Sequence, residues 1–174
     1  MKKLLIVVDY QKDFVTGSLG FDGAENIENA IADKIMRYKN NGDYVVATMD
    51  THTENYLETQ EGKNLPVKHC IKGTEGHGFY GKINDCKDKF DNIFLKPSFG
   101  SGELYEWLKG NDFDSIELCG VVTNICVISN AVMAKTACPE AEIFVDKGAV
   151  ASNDKELESY AFTIMENLHI KIIG

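Results

Sequence analysis

Ser115-Ile-Glu-Leu-Cys-Gly120, followed by Val-Val-Thr123-Asn-Ile-Cys126-Val-Ile-Ser-Asn-Ala-Val-Met-Ala-Lys-Thr-Ala137, carries the fold in a single reading. Ser115 to Gly120 predicts a strand, and Thr123 to Ala137 a helix with Ile125, Ile128 and Val132 on one side. Downstream the same alternation continues. Ala141 to Asp146 reads as a strand, Asn153 to Asn167 as a helix and Ile170 to Ile173 as the last strand. Upstream, Lys3 to Val8 is a β-branched run, followed by a polar loop through Gly23. Ala24 to Asn40 is a helix with Ile27, Ala30, Ile31 and Ile35 at helical spacing, ended by Asn41-Gly42. Asp43 to Met49 predicts the next strand, Ile93 to Lys96 another, and Gly102 to Lys109 a helix around Leu104, Trp107 and Leu108. Strands alternating with helices indicate a parallel sheet covered on both faces. With right-handed crossovers the expectation is a three-layer α/β/α sandwich with a central, mostly parallel sheet of about six strands, Rossmann-like in plan. One domain is expected over residues 1–174. Its long polar loop, at about residues 50–89, carries five glycines and no sustained periodicity. A loop of that length inside a compact domain points to function.

The chain has 174 residues, 44% hydrophobic and 26% charged, which excludes collagen-like, disordered and disulfide-scaffold classes. Eighteen Lys+Arg against 27 Asp+Glu leave a net charge of −9, which argues against nucleic acid or an anionic membrane as partner. The longest apolar run, Leu4 to Val8, has five residues, far short of the roughly 18 of a membrane span. Asp9 interrupts that run too early for a signal peptide, and no small-residue cleavage site follows. Five cysteines, an odd number, suit free and mostly buried thiols in a reducing compartment. The expectation is a cytoplasmic protein.

Ligands of open parallel sheets bind beyond the carboxyl ends of the strands. Those ends carry Asp9, Asp50, Lys96 and the turn Gly120-Val121-Val122-Thr123. Thr123 or Asn124 is a natural N-cap, which puts Cys126 in the first turn of the helix. The unpaired amides and the helix dipole there favour a thiolate, lowering the thiol below its free value of about 8.5, and can hold an oxyanion. Singly, each residue has an ordinary explanation: Cys126 as a buried structural thiol, Asp9 as a helix cap, Lys96 as a lysine reaching solvent. Together they make a coherent trio in which a carboxylate takes the thiol proton and an ammonium holds the ions together. Cys70, Cys86, Cys119 and Cys138 lack that setting and are expected to be structural. In the long loop, Asp50, His52 and His69 fit either a divalent-ion site or plain polar surface. No Gly-x-Gly-x-x-Gly fingerprint or phosphate loop follows any strand, so no organic cofactor is expected.

Val7-Val8-Asp9-Tyr-Gln-Lys-Asp13-Phe14, then Lys96, then Gly120-Val-Val-Thr-Asn-Ile-Cys126-Val resembles the isochorismatase-like cysteine hydrolase superfamily, in order and over nearly the whole chain. The resemblance implies an Asp-Lys-Cys triad at Asp9, Lys96 and Cys126. It further implies a cis peptide between Val121 and Val122, and an oxyanion hole built from the backbone N–H groups of Val122 and Cys126. The superfamily's nicotinamidase branch has Asp-x-His followed later by two further ligands, which Asp50, His52 and His69 fit. The remaining ligand is a histidine or a glutamate in the branch. No histidine lies between His52 and His69, so a glutamate is implied, Glu61 by spacing or Glu58 as second choice. The implied divalent ion is zinc first, with iron or manganese as alternatives. In the branch it binds the ring nitrogen of a pyridine amide and holds a water for hydrolysis. His77 ranks behind these ligands, and His169 reads as ordinary structure. Pocket walls are implied at Phe14 and Phe99, and Leu65 with Pro66 stands where the branch often carries an aromatic residue.

The activity implied is that of a metal-dependent cysteine amidohydrolase of the nicotinamidase type, turning nicotinamide and water into nicotinate and ammonia through a cysteine thioester. A small-molecule amide and a second copy of the chain, as homo-oligomer, are the partners implied. The alternatives are a superfamily hydrolase acting on a carbamoyl or ureido amide or on isochorismate, and a catalytically idle ligand-binding domain.

Overall fold

The computed structural model describes residues 1–174. Six strands, β1 (Lys3–Val8), β2 (Tyr44–Asp50), β3 (Asn92–Lys96), β4 (Ser115–Val121), β5 (Glu142–Ala151) and β6 (Lys171–Ile173), form one sheet in the order β3-β2-β1-β4-β5-β6. Every pairing is parallel. The helices are α1 (Lys12–Val15), α2 (Glu28–Asn40), α3 (Gln60–Asn64), α4 (Gly81–Asp85), α5 (Gly102–Lys109), α6 (Ile128–Ala137) and α7 (Lys155–Asn167).

Successive side chains of a strand point to opposite faces, and β1 has an apolar residue at each position from Leu4 to Val8, all fully buried. Leu4, Ile6 and Val8 pack with Leu104 and Leu108 of α5, Ala131 and Ala134 of α6, and Ala161 and Met165 of α7. Leu5 and Val7 pack on the other face with Ile31 and Ile35 of α2 and Ile83 of α4. Helices therefore cover both faces, as the sequence predicts. On the α2 face a charged group interrupts the core. Lys34 Nζ lies 2.6 Å from Glu117 Oε1, and the Tyr38 hydroxyl donates to Glu117 Oε2 at 2.7 Å.

Four local expectations are corrected. Ile125 and Val132 are exposed at 39% and 37%, whereas the buried side of this segment is Val127, Asn130, Ala131 and Ala134. Small residues let α6 lie close to the sheet, so the larger ones face outward. The fifth strand runs to Ala151 rather than Asp146, because a bulge between Leu118 and Gly120 of β4 lets pairing resume at Val150 and Ala151. The polar loop after β1 contains the short helix α1. The stretch at 50–89 folds as α3, α4 and two single turns, Tyr56–Glu58 and Lys87–Lys89. All five cysteines are free, with Cys86 half-buried and the rest buried. No helix is long and apolar enough to cross a membrane.

Candidate active site

The strand order reverses between β1 and β4, and a crevice opens beyond their carboxyl ends at that point. Val8 of β1 pairs with Gly120 of β4. Gly120 has φ +115°, and a Cβ there would stand 2.0 Å from the Val8 carbonyl oxygen, so only glycine lets the two strands meet. Asp9 follows in the left-handed region at φ 48° and is fully buried. Its Oδ1 accepts the Thr48 hydroxyl at 2.6 Å. Its Oδ2 is ion-paired with Lys96 Nζ at 2.6 Å. Lys96 ends β3, on the far side of β2, and its stem carries the ammonium across. That ammonium donates to the Ser98 carbonyl at 2.9 Å and to Cys126 Sγ at 3.5 Å, and lies 3.5 Å from Asp50 Oδ1. Asp9, Lys96 and Cys126 are thus brought together from three strand ends.

Cys126 lies in a wide π turn, Thr123–Val127, that leads into α6 and follows a cis peptide between Val121 and Val122. The Val122 carbonyl accepts the amides of Ile125 at 3.0 Å and Val127 at 3.1 Å. Neither Thr123 nor Asn124 acts as the expected cap. The Thr123 hydroxyl donates instead to Glu158 of α7 at 2.8 Å, and Asn124 Oδ1 accepts the Ser152 hydroxyl at 2.6 Å. The expected lowering of the thiol pKa is also reversed. Burial and then the Asp9 charge push Cys126 well above the ordinary thiol value, against the pull of Lys96. Burial likewise raises the Asp9 carboxyl more than Lys96 lowers it. Burial works against the Lys96 ammonium, but Asp9, Cys126 and Asp50 outweigh it, so Lys96 stays protonated. The thiol keeps its proton at rest beside a buried carboxylate of high proton affinity.

The second part of the site grows from β2. Asp50 ends that strand, and Gln11 fixes it by accepting its amide at 2.7 Å and donating to its carbonyl at 2.9 Å. Asp50, His52, Glu61 and His69 each present one ligand atom, all within 4.8 Å of one another. Asp50 Oδ2 lies 2.9 Å from His52 Nε2 and 3.3 Å from His69 Nε2, while Glu61 Oε1 lies 3.7 Å from each ring nitrogen. Donors around a tetrahedral ion with bonds of about 2.1 Å stand about 3.4 Å apart, so this set fits a zinc-sized divalent cation. His69 Nδ1 lies 2.8 Å from the Val67 carbonyl, which fixes the tautomer that turns the Nε2 lone pair inward. Asp13 Oδ2 accepts the Cys70 amide at 2.7 Å and so ties this histidine's segment to α1. Burial alone raises the Asp50 carboxyl, yet His52, His69 and Lys96 together hold it well below the usual carboxylate range.

Glu61, not Glu58, completes the cluster. Thr59 caps α3 by accepting the Gly62 amide at 3.0 Å, which sets Glu61 in the first turn, facing inward. Glu58 is exposed. Tyr56 packs against both histidine rings, at 4.7 Å from His52 and 4.9 Å from His69. His77 lies outside the cluster, its Nε2 2.9 Å from the Thr51 hydroxyl, and His169 closes α7 on the surface.

A cavity of about 220 Å³ joins the two parts. Asp50, Glu61, His69 and Cys126 line it, Phe14, Phe99 and Leu65, expected from the sequence as walls, stand in it, and Val122 joins them. Leu19, Phe21, Ile125 and Asn153 were missed. Leu19 and Phe21 are apolar residues in an otherwise polar loop at the carboxyl edge of the sheet, and that mismatch is the signal that marks them. The lining is mostly apolar, with the reactive groups at its base, which suits a small molecule with a flat apolar body and one polar end.

Residues 3–174 match the isochorismatase domain family, and the chain belongs to it. It is 34% identical to the isochorismatase family protein PncA of Bacillus subtilis, over 96% of each chain. Among solved structures it is similar to the pyrazinamidase/nicotinamidase of Streptococcus mutans, with 34% identity, a TM-score of 0.88 and coverage of 99% and 100% of the two chains. It is also similar to the pyrazinamidase of Pyrococcus horikoshii in complex with zinc, with 29% identity, a TM-score of 0.86 and 99% of each chain covered.

Proposed function

We propose that this chain is a metal-dependent cysteine amidohydrolase that converts nicotinamide and water to nicotinate and ammonia. One observation carries the reading: Lys96 stands within 3.5 Å of both Asp9 and Cys126, and Cys126 lines an apolar cavity whose wall includes three members of a four-donor cation cluster. Relatives named pyrazinamidase/nicotinamidase, one of them a zinc complex, support the substrate class and put zinc first among the metals. Five free thiols support a cytoplasmic protein, and the family resemblance a homo-oligomer.

Asp9, its carboxylate held against the Lys96 ammonium, takes the Cys126 proton as the sulfur bonds to the carboxamide carbon. The carbonyl π pair moves to oxygen, where the backbone amides of Val122 and Cys126 receive it. Collapse breaks the C–N bond, and Asp9 returns its proton to the nitrogen, releasing ammonia and leaving an acyl thioester on Cys126. Water then adds to the acyl carbon while giving a proton to Asp9. The C–S bond breaks, the acid leaves, and the proton returns to sulfur. Throughout, the Lys96 ammonium balances the charge that alternates between carboxylate and thiolate. Asp50, His52, Glu61 and His69 would hold the metal, which supplies a Lewis acid for a ring nitrogen and an acidified water.

Cys126→Ala tests the nucleophile. It is expected to abolish ammonia release with fold and metal content intact, and acid-quenched wild-type enzyme should carry the acyl group on Cys126 by peptide mass spectrometry. Turnover near wild type in the variant overturns the assignment. A second reading, an amide with a non-aromatic acyl group, is favoured by Leu65, 38% exposed in the cavity wall, where a flat ring would stack better on an aromatic residue. Activity on carbamoyl or ureido amides, with none on nicotinamide, would select it.

A further inference from the structure

Asn130 is a fully buried polar side chain that none of the chemistry above uses. It lies four residues after Cys126, on the face of α6 that meets the sheet. Its amide nitrogen donates to the Cys126 carbonyl at 2.8 Å and to the Phe99 carbonyl at 3.1 Å, and its oxygen accepts the Ser101 amide at 3.0 Å. Three of the four hydrogen bonds open to an asparagine are thus spent on backbone. Those backbone groups belong to two segments remote in sequence, the turn that holds the nucleophile and the loop that leaves β3 directly after Lys96.

The loop has other anchors at each end. The Lys96 ammonium donates to Ser98, and the Ser101 hydroxyl caps α5 by accepting the Leu104 amide at 3.1 Å. Asn130 adds the cross-tie from this loop to the cysteine turn. A role confined to helix packing does not account for it. Asparagine is a poor helix former, an amide is costly to bury unless satisfied, and alanine serves the neighbouring buried positions 131 and 134. A hydroxyl suffices to serve a carbonyl one turn back, as Ser129 does for Ile125 at 2.7 Å. What a hydroxyl cannot do from this position is reach Phe99 and Ser101 as well.

We propose that Asn130 is a positioning residue for the amide hydrolysis proposed above, on which this inference rests. It holds the Cys126 turn at a fixed distance from the Lys96 loop, and so sets both the sulfur's place against the ammonium and the position of the Phe99 wall. The two duties are separable. The bond to the Cys126 carbonyl governs sulfur placement, and the bonds to Phe99 and Ser101 govern the wall.

The test compares wild type, Asn130→Ala and Asn130→Thr, all metal-loaded. Two readouts are taken: the rate at which iodoacetamide alkylates Cys126, followed by peptide mass spectrometry against Cys86 as reference, and kcat and KM for nicotinamide. Asn130→Ala is expected to slow Cys126 alkylation and kcat on the order of 10-fold to 100-fold, with Cys86 unchanged. Asn130→Thr keeps a donor for the Cys126 carbonyl and should recover most of both rates while its KM stays raised. Alkylation of Cys126 at or above the wild-type rate in folded Asn130→Ala overturns the proposal. If that variant does not fold, wild-type KM in Asn130→Thr overturns it instead. Alkylation needs no turnover, so a wild type inert toward nicotinamide would sink the substrate assignment and leave the Asn130 comparison to be decided by its own readout.

Discussion

Asp9 Oδ2 is fully buried and held 2.6 Å from the Lys96 ammonium. Burying such an ion pair is costly, and pairs of this kind gather where there is chemistry to do. Asp9→Asn keeps the shape and the neighbouring Thr48 contact but cannot accept the thiol proton. Its kcat for ammonia release should fall by about 10²-fold to 10⁴-fold when assayed well below its melting temperature, which itself falls because Lys96 loses its nearest counter-ion. A kcat within threefold of wild type would remove Asp9 as the base. Asp9, Lys96 and Cys126 were legible in the sequence because each closes a strand or opens a helix at the carboxyl edge of the sheet. Gln11 and Asn130 were not, because they act on backbone groups that only the folded chain brings near them. Spacing put Glu61 ahead of Glu58, and the Thr59 cap of α3, which sets Glu61 in the first turn facing inward, separates the two.

The π turn and β4 show how an element can read correctly in kind and wrongly in detail. Thr123 and Asn124 have the chemistry of N-caps, yet their side chains bond to Glu158 and Ser152 on segments far along the chain. The extended start of the helix therefore left no local trace, and the exposed Ile125 and Val132 passed for its core face. Gly120, by contrast, is a position where the backbone itself dictates the residue. Gly120→Ala places a Cβ against the Val8 carbonyl at a φ that alanine disfavours, and it should destabilise the protein by roughly 3 kcal/mol or more. Urea unfolding measures this directly, and a loss below about 1 kcal/mol would show that β1 and β4 can separate at that point.

The whole molecule is a sheet buried on both faces, and its fold was legible because β1 is apolar at successive positions and helical patterns recur between strands. The charged cluster inside the α2 face was not, since Glu117 lies in mid-strand and its partners come from α2 and β5. Burial opposes the Lys34 charge, but hydrogen bonds to Asp146 and Glu117 outweigh it and raise its pKa above the ordinary 10.5. A raised lysine contributes stability that is complete below the unfolded value and is lost as pH climbs through the folded one. Tyr38, whose phenol is raised by burial and by Glu117, acts in the same direction. Stability should therefore decline above about pH 10, by at most about 1.4 kcal/mol per pH unit for each proton, and Lys34→Arg should flatten the decline because arginine stays charged in both states. Equal slopes in the two proteins would contradict this. The central claim joins a cysteine at the switch point to a metal cluster in the same cavity, and ammonia release from nicotinamide, before and after chelation, tests it most directly. The account predicts release by the metal-loaded protein, its loss on chelation and its return with zinc, iron or manganese. No release from metal-loaded protein whose Cys126 still alkylates, or release indifferent to chelation, would contradict it.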